Sequence, residues 1–382
     1  MTRPIAINWE ISATTGWGQV ATHICRALVR QGERPLLLHN VNLDHMSTAD
    51  REMVAPLAAT PNGGRTTLPT GCIVLTPFGN ELESEPIADC RPDIVRVGIG
   101  AFEETRIDAD ARARGQTFAR MIVHSSWNRR LLDEAGIRNV ALAHQGIDPI
   151  ELQPLPRVGH FPGRFVIFSG GKLEFRKSQD IVLAAFRRFH AHYPEALLLA
   201  AWHSPWPGVA ETMRGSPHTP VVPEVGPNGR LHVAGWAAEN GIPNDSFVDA
   251  GPLSRTQIPR VFAECDLAIF PNRCEGATNL VAMEAMACGV PVVLSANTGH
   301  LDLIRPGICQ TLDDQRPVAD PDGCRIGWGE SSVDELVARM EAVRATPLAS
   351  RQAAGYAMAF MRTERTWGHF AARVLKEVRA VG

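Results

Sequence analysis

The sequence predicts an α/β protein made of two Rossmann-like, doubly wound parallel-sheet domains, and three observations carry that prediction. Short apolar runs recur along the chain, separated by segments whose apolar residues have helical spacing. The stretch Gln153-Pro154-Leu155-Pro156-Arg157-Val158-Gly159-His160-Phe161-Pro162-Gly163 is rich in Pro and Gly and reads as a linker. A second alternating series begins at Phe165, directly after it.

In the first half, Ile5 to Asn8, Leu36 to Leu38, Ile73 to Leu75, Ile94 to Val97, Met121 to Val123 and Val140 to Ala143 are the expected strands. Between the first two, Val20, Ile24, Ala27 and Leu28 form the apolar stripe of a helix. In the second half, Phe165 to Ser169, Leu267 to Phe270 and Val290 to Leu294 read as buried strands. Ile181, Val182, Ala185, Phe186 and Phe189 share one helix face. The segment from His203 to Asn244 lacks periodicity, is rich in Pro, Gly and His, and reads as long loops.

A chain of 382 residues, 45% hydrophobic, has room for two domains of ordinary size. Its net charge of −3 argues against a nucleic-acid partner, which would need a cationic surface. Eight cysteines show neither CxxC nor metal-ligand spacing, and Cys25, Cys265 and Cys288 lie in apolar patterns, as reduced core thiols do. No apolar run approaches membrane-spanning length, and Met1 to Ile5 lack a signal peptide's apolar core. The expectation is therefore a cytoplasmic protein. Arg106, Arg112, Arg114, Arg120, Arg129 and Arg130 crowd one region, as a solvated face or as a peripheral contact with anionic lipid at the inner face of a membrane. The pairs Asp108-Ala109-Asp110 and Asp320-Pro321-Asp322 read as chance matches to a metal-nucleotide motif, since neither follows a buried strand directly. No metal site is expected.

The informative block runs from Asn272 to Val293. It follows the strand-like Leu267 to Phe270, and Thr278 or Asn279 can cap the helix it opens. Gly289 ends that helix as a left-handed residue would. A helix opening at the carboxyl end of a parallel strand offers free N–H groups to an anion. The carboxylates Glu275 and Glu284 beside it can only accept hydrogen bonds, which suits sugar hydroxyls. A nucleotide sugar offers both parts. Upstream, Gly170-Gly171-Lys172-Leu173-Glu174-Phe175-Arg176-Lys177-Ser178 follows another strand. Gly171 lets backbone approach a ligand, Lys172 and Lys177 can straddle a diphosphate, and Ser178 can cap the next helix. Gly16-Trp17-Gly18-Gln19-Val20-Ala21 fits G-x-G-x-x-A after a strand. The second strand ends Leu38-His39-Asn40, without the acid that a dinucleotide's ribose requires.

The segment Glu284 to Val293 resembles the signature of retaining glycosyltransferases of family 4, which carry Glu-x7-Glu and then Ala-Met-Ala-x-Gly-x-Pro-Val-Val. Glu275 departs from it by lying one position early, with Gly276 at the expected spacing. Gly170 to Ser178 looks like the family's Gly-Arg-Leu-x-x-x-Lys-Gly loop, with Lys172 for Arg and Ser178 for the closing Gly. Val123 to Trp127, Gln145 to Asp148 and Phe247 to Leu253 extend the likeness.

The resemblance implies the GT-B fold, two such domains facing a cleft. Residues 1–158 would form the acceptor side, with the helix in 362–382 crossing back onto it, and 159–361 the nucleotide-sugar side. It implies transfer of a sugar from a nucleoside-diphosphate donor to an acceptor hydroxyl with retention, in glycan or glycoconjugate biosynthesis and without a further cofactor. Lys172, Lys177 and the amides of Thr278 and Asn279 would stabilise the departing diphosphate. Glu284 would hold the ribose and Glu275 the transferred sugar. Gly16 and Gly18 would lie across the cleft near phosphates and acceptor. The family's first-domain histidine has no counterpart in Gly98 to Glu104, which leaves Glu103 as the candidate there. The acceptor, whether glycan, lipid-linked or protein, stays open. The competing readings are a GT-B phosphorylase or epimerase and a nucleotide-sugar-binding protein without transferase activity.

Overall fold

The structure is a computed structural model that describes residues 3–58, 67–87, 89 and 91–381. Strands β1 (Ile5–Ile7), β2 (Leu36–Leu37), β3 (Ile73–Phe78), β4 (Val95–Gly100), β5 (Arg120–Val123) and β6 (Val140–Leu142) form one parallel sheet in the order β2-β1-β3-β4-β5-β6. Strands β7 (Phe165–Gly170), β8 (Ala196–Ala201), β9 (Phe247–Asp249), β10 (Leu267–Phe270), β11 (Val292–Ser295) and β12 (Gln310–Leu312) form a second parallel sheet, ordered β12-β11-β10-β7-β8-β9. This is the GT-B architecture that the resemblance implies.

Each sheet reverses its winding beside its first strand, between β1 and β3 and between β7 and β10. Such switch points open a crevice at the carboxyl ends of parallel strands. The two glycine loops, at Gly16 and Gly171, leave from β1 and β7 and so open at those crevices.

Helix Gly16–Arg30 buries Val20, Ile24 and Leu28 on the first sheet, the stripe that its spacing predicts. The last helix, Trp367–Ala380, joins the same core through Trp367, Phe370, Val374, Leu375 and Val378. Trp367 stacks on His23 of the first helix, with ring centroids 4.6 Å apart.

Three local expectations need correction. His203 to Asn244 is not all loop: it contains a 3-10 helix, Pro207–Gly215, and an α-helix, Val233–Glu239. Ala210, Met213, Val233 and Trp236 bury themselves in the second core. Elements this short leave no periodic trace, and Pro207 suits a first helical turn. Second, Ser178 does not cap helix Gln179–His192. It adopts φ 60°, a left-handed conformation that explains a glycine in the family pattern, and its hydroxyl accepts from the Arg273 amide at 2.9 Å. Third, Gly18 does not line the cleft. A Cβ there would fall 2.3 Å from the Ser12 carbonyl oxygen, so the glycine serves close helix-to-loop packing.

A hairpin of β13 (Gln315–Pro317) and β14 (Gly329–Ser331) sends its arm across to the first sheet's loops. The Thr105 amide donates to the Cys324 carbonyl at 2.8 Å, and Trp328 Nε1 donates to the Glu103 carbonyl at 3.0 Å. Of the crowded arginines, Arg106 and Arg114 pair with Glu81, Arg120 with Glu377, Arg129 with Asp133 and Arg130 with Glu134. Asp108 caps a helix at the Ala111 amide and Asp320 accepts from the Cys324 and Arg325 amides, which gives both acids local roles. Among the described residues, no helix is long and apolar enough to cross a membrane, no acid, His and Cys cluster suits a metal, and seven cysteines are free.

Candidate active site

The two crevices merge into one cleft of about 990 Å³ between the sheets. Gly16, Asn80, Glu103, His124 and Gln145 line its first-sheet wall; Gly171, Lys172, Arg176, Lys177, Arg255, Glu275, Asn279 and Glu284 line the other. Of the site residues read from sequence, only Gly18 and Thr278 lie outside this lining. Thr278 is fully buried with its hydroxyl on Met283 Sδ at 3.2 Å, so any part in anion binding falls to its backbone amide.

The donor-side loops are knit together before any ligand arrives. The Arg273 amide donates to the Arg176 carbonyl at 2.8 Å as well as to Ser178. The Arg273 guanidinium, fully buried, makes bonds of 2.9 and 2.7 Å to Asp180 and one of 2.6 Å to Glu330. The lysine loop and the glutamate loop are therefore one rigid unit.

Glu275 reaches the cleft despite its early position. Lys177 Nζ lies 2.5 Å from Glu275 Oε1, Arg176 Nη1 lies 3.4 Å from Oε2, and the Asn272 amide also donates to Oε1. Burial alone would raise this carboxyl's pKa, but Lys177 and Arg176 outweigh it and hold it at about 2. Burial pulls Lys177 down, with Glu275 opposing. Arg176 also meets Glu174 at 2.8 Å and, across the cleft, Glu103 at 3.4 Å. Lys172 is freer: it contacts Glu174 at 3.5 Å and stands 5.6 Å from the Trp206 ring centre.

Asn279, not Thr278, caps helix Leu280–Ala287, at φ 61°. Its Oδ1 accepts from the Ala282 amide at 3.3 Å, while its Nδ2 donates to His300 Nε2 at 3.0 Å. Glu284 points from that helix into the cleft and is bonded to Arg255, whose Nε lies 3.5 Å from Glu151 in the segment joining the sheets. Gly289 ends the helix with φ 76°, the left-handed value that its position predicts.

Sequence reasoning missed Arg176, Arg255, Asn272 and His300. Arg176 had a signal, since it adjoins Lys177 in the same loop. Arg255 and His300 lie outside both motifs, and their tie to Glu284 and Asn279 exists only in three dimensions.

Two facing parallel sheets, with cations and a capped helix start on one wall, define a site for a phosphorylated ligand. Residues 155–319, which hold both motifs, match the family model "Glycosyl transferases group 1". A D-inositol 3-phosphate glycosyltransferase of Mycobacterium marinum is 30% identical over 227 residues, which are 58% of this chain and 42% of that protein. The chain thus aligns with less than half the length of that relative. Among solved structures, sucrose-phosphate synthase of Thermosynechococcus elongatus has a TM-score of 0.67 at 14% identity, covering 98% of both chains. HepE of Anabaena, in complex with UDP-glucose, has a TM-score of 0.63 at 14% identity, covering 98% of this chain and 99% of its own. These structures establish the fold. The family match and the curated relative support a glycosyltransferase.

Proposed function

We propose that this protein is a retaining glycosyltransferase that moves a sugar from a nucleoside-diphosphate donor to an acceptor hydroxyl, in glycan or glycoconjugate biosynthesis. The observation that carries the reading is the grouping of Lys172, Arg176 and Lys177 beside the helix start at Asn279, with Glu275 and Glu284 in the same cleft. The wall from residues 159–361 takes the donor and the wall from 1–158 the acceptor. A nucleotide complex known for HepE is consistent with such a donor.

During transfer the bond from the anomeric carbon to the diphosphate breaks, a bond from the acceptor oxygen forms on the same face, and the acceptor's hydroxyl proton passes to the departing diphosphate. Negative charge grows on the departing diphosphate. Lys172, Arg176 and the free amides at Thr278 and Asn279 stabilise it, the largest contribution a preorganised site makes. Glu284 accepts from the ribose hydroxyls. Glu275 accepts from the transferred sugar and holds Lys177 in place.

Calorimetry with UDP, GDP and ADP, followed by proton NMR of the first-formed product with chelator present, tests the reading. A bound nucleoside diphosphate and a retained anomer are expected, with activity surviving chelation because three cationic side chains already face the diphosphate. An inverted anomer rejects retention, and release of nucleotide without acceptor-dependent product rejects transfer.

A further inference from the structure

The acceptor wall differs from the donor wall in kind. Among the described residues, every lysine and arginine lining the cleft, including Lys172, Arg176, Lys177 and Arg255, belongs to the second half of the chain. The first-sheet wall has one carboxylate, Glu103, which already faces Arg176 at 3.4 Å. Its other polar side chains include the amides of Asn42, Asn80 and Gln145, and some of these have bonding capacity left over.

Gln145 follows β6 and is only 7% exposed, yet its side-chain amide has no hydrogen-bond partner among the described residues. Gln145 lines the cleft, so its amide can both donate to and accept from a ligand hydroxyl. His124, at the end of β5, gives its Nδ1–H to the Ala143 carbonyl at 3.2 Å. That leaves Nε2 as a buried acceptor with no partner. Burial holds the ring's pKa down to about 4, so it stays neutral at ordinary pH. Asn80 accepts from the amides of Glu103 and Glu104 at 2.9 and 3.1 Å, which fixes its Oδ1 inward and leaves its NH2 to donate. Trp17 lines the same wall with a half-buried indole.

We propose that the acceptor is an uncharged polyhydroxylated molecule, a sugar or polyol without phosphate or carboxylate, held by Trp17, Asn80 and Gln145. Each hydroxyl both donates and accepts, which suits the Gln145 amide and the donor NH2 of Asn80. The indole offers a flat apolar face to a pyranose ring. A phosphate or carboxylate on the acceptor calls for Arg or Lys, and this wall supplies neither of its own. This inference rests on the transferase reading above.

The test uses the full chain with UDP-glucose, or with ADP- or GDP-glucose where calorimetry selects that nucleotide. Product formation is compared for glucose, maltose and myo-inositol against glucose 6-phosphate, glucuronate and inositol 1-phosphate. The neutral acceptors should show at least tenfold higher kcat/KM than their charged counterparts. Gln145→Ala should raise the KM of the preferred neutral acceptor at least tenfold, with the Kd of the nucleoside diphosphate within twofold of wild type. A charged acceptor used as well as its neutral counterpart overturns the inference, as does an unchanged acceptor KM in Gln145→Ala. Nucleotide bound with no acceptor of either kind turned over also counts against it. Absence of nucleotide binding defeats instead the transferase reading, so the two failures are distinguishable.

Discussion

Gly276 is packed directly against the carbonyl of Phe102 in the opposite domain: a Cβ on Gly276 would lie 2.6 Å from that oxygen and 3.1 Å from Glu103 Oε1. Ser125 Oγ donates to the Gly276 carbonyl at 2.6 Å and fixes the approach. The position at which the family pattern expects a glutamate is thus a point of interdomain contact with no room for a side chain. The acid stands one residue earlier, where it reaches the cleft.

Gly276→Ala should therefore lower unfolding free energy by about 1–3 kcal/mol, the usual cost of forcing a methyl into a packed site. Gly276→Glu, which restores the family spacing, should be worse and should cut turnover at least tenfold by holding the domains apart. Denaturant titration and a donor-release assay measure both effects. Wild-type stability in Gly276→Ala would mean that the contact yields freely.

The two lysines should part company on mutation. Lys172 is a third exposed at its side chain, with only a loose contact to Glu174. Lys172→Ala should leave stability nearly unchanged and weaken nucleoside diphosphate by about 1.5–3 kcal/mol, one charge-assisted bond. Lys177→Ala strips the buried Glu275 of its nearest cation and should cost about 3 kcal/mol of stability, since Arg176 only partly replaces it. Thermal melts with calorimetry on both variants decide this, and equal stability losses would contradict it.

Nine of the twelve sheet strands were legible as short apolar runs, and those such as β7 and β10 are buried on both faces; β12, with two half-buried residues, was not. The hairpin β13–β14 was not, since Gln315–Pro317 carries no apolar signal and is held by its arm's contacts with Thr105 and Glu103. Within the cleft, Gly171, Lys172, Lys177, Glu275, Asn279 and Glu284 were readable because turn chemistry and capping bind them to local sequence. Arg255 and His300 were not. Their meaning comes from what they face across a fold, and no spacing rule encodes that.

Arg255 ties Glu284 to Glu151 in the segment between the domains. Glu284→Gln should weaken a ribonucleotide more than its 2′,3′-dideoxy analogue, because only the ribose hydroxyls donate to the carboxylate. Arg255→Met should weaken both nucleotides and lower stability, leaving Glu284 without its cation and Glu151 with Arg26 alone at 3.9 Å. A Glu284→Gln variant with equal losses for both ligands would remove Glu284 from the ribose site.

Acid should dismantle the donor wall in two stages. His300 Nε2 accepts from the Asn279 amide and its Nδ1 lies 2.9 Å from Ser295 Oγ, an arrangement that needs a neutral ring. Burial holds its pKa at about 4, below the usual 6.5, so the unfolded chain binds this proton first. Its contribution is complete above pH 6.5 and is lost as pH falls through 4. Glu275, held at about 2 against an ordinary 4.5, keeps its contribution until pH drops below 4.5 and loses it toward 2. The stability of wild type minus that of His300→Gln should shrink by about 3 kcal/mol between pH 7 and 4, because each pH step between the unfolded and folded pKa costs about 1.4 kcal/mol. The same difference for Glu275→Gln should stay flat to pH 4.5 and shrink only below it. Denaturant titrations across that range read both windows. A pH-independent difference for His300→Gln would show that His300 can be protonated without loss of the Asn279 cap, and the staged account would fail.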